Sequence, residues 1–76
     1  MSPQPPRPED LAIARIRAAD LADLRWHWGE VYAIWWQAGQ FCAVRRDTGA
    51  ICRRPGADAL RRELISDLEA RPVEVR

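Results

Sequence analysis

The chain has 76 residues, of which 47% are hydrophobic and 30% charged, and its formal net charge is +1. This composition is typical of a globular domain and excludes the low-hydrophobicity, high-charge pattern of intrinsic disorder. The length allows one domain, and no apolar run approaches the ~20 residues that a membrane-spanning helix requires.

Four of the six prolines fall within the first eight residues. Proline fixes the backbone angle φ and lacks a backbone donor, so residues 1–8 are predicted to form an extended, flexible tail. This segment has no apolar core of the kind that secretory signal peptides carry, and the sequence therefore predicts a cytoplasmic protein.

A first helix is predicted from Glu9 to about Arg25. Pro8 suits the first position of a helix, and the acids Glu9 and Asp10 suit its positive N-terminal end. Apolar residues recur at helical spacing, with five alanines, which are strong helix formers, between them. The large members of this apolar stripe are Ile13, Ile16, Leu21 and Leu24.

Three strands are predicted, at about residues 30–36, 40–46 and 50–54, because aromatic and β-branched residues dominate there. Both turns between them, QAG and DTG, have three residues and end in glycine. Such turns favour a type I turn followed by a left-handed residue and a G1 bulge.

The predicted turns also set which side chains share a face of the sheet. Ile34 would face Cys42 across the first hairpin, and Val44 would face Cys52 across the second. One face would then carry Tyr32, Ile34, Trp36, Cys42, Val44, Ala50 and Cys52. The other would carry Val31, Ala33, Trp35, Phe41, Ala43, Arg45, Ile51 and Arg53.

A second helix is predicted from about Ala57 to Ala70, between the breakers Pro55-Gly56 and Pro72. Its leucines recur at three- and four-residue spacing, and Leu64 is expected at the buried centre. The predicted fold is α+β, a three-stranded antiparallel meander with an N-terminal and a C-terminal helix, in the order α-β-β-β-α. Residues 9–72 form the domain and residues 73–76 a tail, while the first helix is free to cover either side of the sheet.

Cys42, Cys52 and His27 are the residues that invite a metal or catalytic interpretation. In the predicted register the cysteines are diagonal, whereas a disulfide needs Cβ atoms about 3.5–4.5 Å apart. A zinc site needs four ligands, and only His27 could join the two thiols. The sequence has no nucleotide-binding or hydrolase motif. It therefore predicts buried free thiols and a protein that is not an enzyme, with no metal, cofactor or small-molecule substrate.

Trp35 and Trp36 are adjacent in a predicted strand, so their side chains point to opposite faces. Either helices cover both faces, or one face is an exposed aromatic patch of the kind that marks a binding site. Aromatic residues and arginine also dominate interface hot spots. The sequence predicts binding of a protein partner, or a homodimer, through Trp35, Phe41, Arg45 and Arg53.

The three Arg-Arg pairs support an alternative. Residues 41–62 carry six arginines against two acids, a local charge of +4, which is offset by −3 in the rest of the chain. Arginine beside aromatic rings can stack on bases and bind phosphates. The sequence favours the simpler interpretation, in which these side chains reach past the rim of the sheet or pair with nearby acids. The alternative prediction is a DNA-binding module that uses the sheet face with Arg45, Arg46, Arg53, Arg54, Arg61 and Arg62.

The block from Gly39 to Gly49, followed by Asp58 to Arg61, resembles a recurrent pattern of small actinobacterial proteins. That pattern reads G-x-F/W-x-A-x-R-R-D-x-G and then a D-x-L-R helix, and it brings no known activity with it. The strands and last helix also resemble the arm-type DNA-binding domain of tyrosine recombinases, whose sheet face enters the major groove. On that resemblance the positions that would contact DNA are Phe41, Arg45 and Arg53.

Overall fold

The computed structural model describes residues 5 and 7–74. The strands form one antiparallel sheet in the order β1-β2-β3, which confirms the predicted α+β fold with the order α-β-β-β-α. The elements are α1 (Pro8–Trp28), β1 (Tyr32–Gln37), β2 (Gln40–Arg45), β3 (Ile51–Arg54) and α2 (Ala57–Ala70).

The two predicted tails overlap with the ends of the described region. Most of the predicted proline-rich tail, residues 1–4 and 6, lies outside the described residues, and Pro8 belongs to α1. Residues 75–76 of the predicted C-terminal tail also lie outside the described residues.

The helix α1 begins as its sequence indicates, with Pro8 at its start and two acids in its first turn. It ends at Trp28, beyond the predicted end near Arg25, and Gly29 closes it by donating its N–H to the carbonyl oxygen of Arg25 at 2.8 Å. The aromatic composition of residues 26–28 favours a strand. Trp28 packs against the core from the helix, and this tertiary contact outweighs the local preference.

The turn between β1 and β2 has two residues instead of the predicted three. Ala38 and Gly39 have φ values of +52° and +75°, and two consecutive left-handed residues are typical of a type I′ turn. Ile34 therefore pairs with Ala43 and not with Cys42. The prediction was wrong because alanine seldom adopts a left-handed conformation, so the sequence marks only Gly39 as a turn residue.

The predicted three-residue turn between β2 and β3 is also wrong. Val44 pairs with Ile51 and not with Cys52. Gly49 supplies the left-handed conformation, with φ +76°, and its N–H donates to the carbonyl oxygen of Arg45 at 2.7 Å. Both hairpins are thus shifted by one residue from the predicted register.

Both helices pack against the same face of the sheet, which gives a two-layer architecture. Leu24 of α1 and Leu60 and Leu64 of α2 belong to one buried cluster with Tyr32 and Ile34 of β1. Leu64 is fully buried, as predicted. The sequence did not predict which side of the sheet α1 covers. In the structure, α1 covers the same side as α2.

The register defines two faces of the sheet, the helix-covered face and the open face. A one-residue shift moves every side chain of a strand to the other face relative to its neighbour. The helix-covered face carries Tyr32, Ile34, Trp36, Phe41, Ala43, Arg45, Cys52 and Arg54. The open face carries Ala33, Trp35, Gln37, Gln40, Cys42, Val44, Ile51 and Arg53.

Replacing Ala38 with asparagine should stabilise the protein. Asparagine tolerates the left-handed conformation better than alanine, and Asn-Gly is the preferred pair in type I′ turns. We expect the free energy of unfolding to rise by about 1 kcal/mol, measured by urea denaturation. Ala12→Asn, at an exposed position within α1, is the control and should lower stability slightly. A loss of stability in Ala38→Asn would contradict the turn assignment.

Candidate interaction surface

The structure separates the four residues of the predicted partner-binding surface. Trp35 and Arg53 lie on the open face, whereas Phe41 and Arg45 lie on the helix-covered face. Phe41 is buried, and its ring packs edge-on against Trp36 with the ring centroids 4.8 Å apart. The prediction that the four side chains share one face is therefore wrong, because both hairpin registers differ by one residue from the predicted ones.

The open face is mainly apolar, with Gln37, Gln40 and Arg53 as its polar members, and part of it is already close-packed. Cys42, whose cross-strand neighbours are Trp35 and Arg53, is only 1% exposed although neither α1 nor α2 lies over this face. Its neighbours within the sheet therefore cover the thiol. Val44 is partly buried, and its partner Ile51 on the edge strand β3 is 53% exposed. Together they continue the apolar surface toward the other end of the sheet.

Trp35 is held in place on this surface by a polar contact. Its indole Nε1 donates a hydrogen bond to Oε1 of Gln37 at 2.9 Å. A ring whose polar edge is already bonded presents the rest of its area for packing, and such rings are favoured at binding sites because little conformational entropy is lost when they are covered.

Two open-face residues, Val44 and Ile51, are absent from the predicted binding set. The three-residue turn assigned to QAG placed Val44 on the face opposite Trp35, and Ile51 was predicted on the correct face but not recognised as exposed. The Ala-Gly dipeptide at 38–39 carries no clear signal of a two-residue turn, whereas Asn-Gly at these positions would have given the correct register.

Arg45, predicted as a binding residue, is a buried structural residue. Its side chain is 2% exposed. Nε donates to Oδ1 of Asp47 at 2.7 Å, and Nη1 donates to Oδ2 of Asp67 at 3.0 Å. The hydroxyl of Tyr32 donates to the same oxygen of Asp67. Asp67 thus connects β1, β2 and α2, and the charge of Arg45 is compensated within the fold.

The pKa values in this network shift in the directions that keep it intact at neutral pH. The hydrogen bond from Tyr32 lowers the pKa of the Asp67 carboxyl, and the bond from Arg45 acts in the same direction. Burial raises the pKa of the Tyr32 hydroxyl, and its bond to Asp67 raises it further. The hydrogen bond to Asp47 raises the pKa of the Arg45 guanidinium. The carboxylate and the guanidinium are therefore charged and the phenol neutral.

The six arginines of the DNA-binding alternative differ in whether their guanidinium groups form ion pairs with acids of the same chain. Arg45 is buried, as described above. Nη2 of Arg54 lies 3.1 Å from Oε2 of Glu63. The terminal nitrogens of Arg61 lie 2.6 Å from Asp58 and 2.7 Å from a carboxylate oxygen of α1. Those that form no ion pair with any residue that the structure describes are Arg46, Arg53 and Arg62.

The two cysteines point away from each other. Cys52 pairs with Ala43, so its side chain lies on the helix-covered face while Cys42 lies on the open face. The prediction that both share one face is wrong, for the same reason as the other registers. Cys42 is buried and Cys52 partly so. Burial raises the pKa of the Cys52 thiol, which keeps it protonated and poorly nucleophilic at neutral pH.

His27 lies on the exposed side of α1 near its C-terminal end. Its Nε2 is 3.3 Å from Oδ1 of Asp23, one helical turn earlier, and both side chains face solvent. Within residues 7–74, no group of three or more His, Cys, Asp or Glu side chains is placed to hold a metal ion.

No family model, curated protein or solved structure matches this chain. In the part of the chain that the structure describes, neither helix combines the length and the hydrophobicity that crossing a bilayer requires. The longer of the two, α1, has 21 residues, and charged side chains occur along its length.

Proposed function

We propose that this protein is a non-catalytic interaction module of the cytoplasm that binds a protein partner, or a second copy, through the open face of its sheet. The observation that carries the proposal is the placement of both helices on one side of the sheet. The opposite side keeps an apolar surface that includes Trp35, Val44 and Ile51, with Arg53 beside them.

Burial of this surface would contribute favourable free energy on binding. Apolar area removed from water contributes about 25 cal/mol per Å², and contiguous exposed apolar patches mark interaction sites on small proteins. Trp35 is already oriented by its bond to Gln37, so less side-chain entropy is lost when a partner covers it. Arg53 adds a charged group at the edge of the patch, where it sets the preferred partner charge.

The DNA-binding alternative ranks second. One observation favours it: the uncovered face belongs to a three-stranded sheet, the kind of element with which arm-type domains contact the major groove. The available charge argues against it. DNA affinity grows with the number of phosphates that Lys and Arg neutralise, and Arg45, Arg54 and Arg61 are engaged by acids within the fold. Of the six, Arg53 alone belongs to the open face and forms no such pair.

Ile51→Glu should strongly weaken partner binding without unfolding the protein. Ile51 is more than half exposed, so the change adds a charge to the proposed surface while leaving the core intact. We expect the affinity for a partner purified from the native cell to fall at least tenfold, which corresponds to about 1.4 kcal/mol. Isothermal titration with the purified partner measures this, and the melting temperature should stay within about 1–2 °C of the wild type.

Ile65→Glu is the matched control, since Ile65 is exposed to a similar degree but lies on α2, away from the open face. Equal losses of affinity in both variants would show that the effect is not specific to the open face. A gel shift with duplex DNA at increasing salt tests the alternative: DNA binding that weakens steeply with salt and is lost in Arg53→Ala would favour the DNA-binding module.

A further inference from the structure

The N-terminal half of α1 extends beyond the body of the protein. Its C-terminal half supplies the core contacts, with Leu24 buried and Leu21 and Trp28 packed at the edge of the cluster. In the N-terminal half, Ile13 is 59% exposed and Ile16 is 63% exposed. The molecule is accordingly elongated, measuring 55 × 21 × 18 Å.

Ile13 continues the side of α1 that faces the core. Ile13 precedes Leu24 by eleven residues, which is about three turns of an α-helix, so the two side chains lie on the same side. Leu24 is buried in the cluster formed with the sheet and α2, whereas Ile13 is more than half exposed. The packing face of this helix is therefore longer than the surface that the rest of the chain provides for it.

A cleft of about 350 Å³ lies where the extending helix leaves the body. The helix α1 lines it with two apolar and two charged side chains, Ile13, Ile16, Arg17 and Asp20. The sheet contributes Trp36 and Phe41, and the segment from Pro55 to Ala57 completes the lining. The cleft is thus bordered mainly by apolar residues, which come from α1, β1, β2 and the start of α2.

Two charged residues on the same stripe of α1 frame Ile13. Asp10 precedes it by three residues and Arg17 follows it by four, a spacing that places all three on one helix face. The Arg17 guanidinium stacks over Trp36, 4.7 Å from the ring centroid. Among the described residues neither Asp10 nor Arg17 has an ion-pair partner. From Asp10 to Arg17 the stripe therefore reads acid, apolar, base, and Asp20, three residues further along on the same side, lies 3.9 Å from Arg61 of α2.

We propose that a second copy of this chain occupies the cleft, with the two α1 helices packed antiparallel about a two-fold axis near Ile13 and Ala14. Asp10 lies three residues before Ile13, and Arg17 lies three residues after Ala14. A two-fold axis between those central residues places Asp10 of each copy opposite Arg17 of the other, and brings the two Ile13 side chains together.

The order of charges along the stripe favours a second copy of the chain, in the antiparallel orientation, as the occupant of the cleft. An acid-apolar-base stripe complements its own copy only in the antiparallel orientation, because a parallel arrangement would place like charges opposite each other. A two-fold interface uses the same patch twice, so one association event covers the exposed isoleucines of both copies and forms both ion pairs. Self-association through α1 leaves the open face free for a different protein, so it goes beyond the proposed function and does not depend on it.

The first test is sedimentation velocity over a range of protein concentrations. The wild type should shift from the monomer mass to twice that mass as the concentration rises. Ile13→Glu places a carboxylate at the centre of the interface, and it should remain monomeric at every concentration. Ile65→Glu, an equally drastic change on the exposed side of α2, should dimerise like the wild type. Circular dichroism melting checks that both variants are folded.

The second test uses charge reversal. Asp10→Arg and Arg17→Asp each place like charges at both of the contacts between position 10 of one copy and position 17 of the other. Each variant should therefore dimerise roughly tenfold more weakly than the wild type, a loss of about 1.4 kcal/mol in binding free energy. An equimolar mixture of the two variants restores opposite charges at both contacts. That mixture should form a heterodimer with an affinity close to that of the wild-type dimer.

Several outcomes would overturn the inference. A wild type that stays monomeric at millimolar concentration excludes it, whether or not the open face binds a partner. A dimer that survives Ile13→Glu but is lost in Ile51→Glu would move self-association to the open face, and would support the proposed function while refuting this interface. Failure of the mixed charge-reversal variants to associate, when each is folded, would refute the antiparallel arrangement.

Discussion

Arg45→Ala should strongly lower the melting temperature, and Arg53→Ala should leave it nearly unchanged. The two arginines come from neighbouring strands of the same sheet and look equivalent in the sequence. Arg45 is buried and donates to Asp47 and Asp67, so its removal leaves a cavity and deprives two carboxylates of their partner. Arg53 is exposed on the open face, where truncation removes little packing.

Thermal and urea denaturation of the two variants measure this difference. A double-mutant cycle of Arg45→Ala with Asp67→Asn isolates the energy of the ion pair from the packing of the side chain. If Arg45→Ala and Arg53→Ala melted at the same temperature, Arg45 would not be a buried member of the network, and the assignment of the two faces would be wrong.

The network also makes the stability depend on pH in acid. Because the folded-state pKa of Asp67 is lowered, its contribution to stability is present above the pKa of the unfolded carboxyl, and it is lost as the pH falls through the folded-state value. The raised pKa of Tyr32 matters at alkaline pH. Its contribution to stability declines as the pH rises and the phenol of the unfolded chain begins to ionise. Asp67→Asn should therefore flatten the acid limb of the wild-type curve.

Leu64→Ala should cost about 2–5 kcal/mol in the free energy of unfolding, because the side chain is fully buried and its loss leaves a cavity. At roughly 0.05–0.15 kcal/mol per residue, a chain of this size has only about 4–11 kcal/mol of stability in total. We expect the variant to be largely unfolded at physiological temperature, or to melt at a much lower temperature than the wild type.

Ile65→Ala, one residue further along α2 and about half exposed, provides the control and should change stability by less than about 1 kcal/mol. Urea denaturation followed by tryptophan fluorescence compares the two. Similar losses in both variants would mean that α2 is rotated relative to its position in the structure.

The parts of the fold that the sequence predicts best are those with strong local signals. The helix α2 occupies the predicted range, because Pro55-Gly56 and Pro72 bracket leucines at helical spacing. The number and order of the strands follow from aromatic and β-branched runs separated by glycines. The burial of Leu64 follows from the period of the apolar residues alone.

The parts that the sequence does not predict depend on single backbone conformations or on tertiary contacts. The left-handed Ala38 shortens the first turn by one residue, and nothing in an Ala-Gly pair announces it as Asn-Gly would. That one residue decides whether Phe41 shares a face with Trp35 or with Trp36. The burial of Arg45 rests on Asp67, 22 residues away, and no local pattern identifies that partner.

The contacts of Asp67 bear on how the chain folds. A hairpin of β1 and β2 formed alone would leave Tyr32 and Arg45 without this acceptor, since Asp67 lies on the last helix. Withdrawing a guanidinium from water becomes favourable only once its carboxylate partners are in place. The sheet and α2 therefore stabilise each other, and we expect neither to persist by itself during folding. We accordingly expect folding to be a single cooperative step, in which the first hairpin is completed only when the C-terminal helix docks.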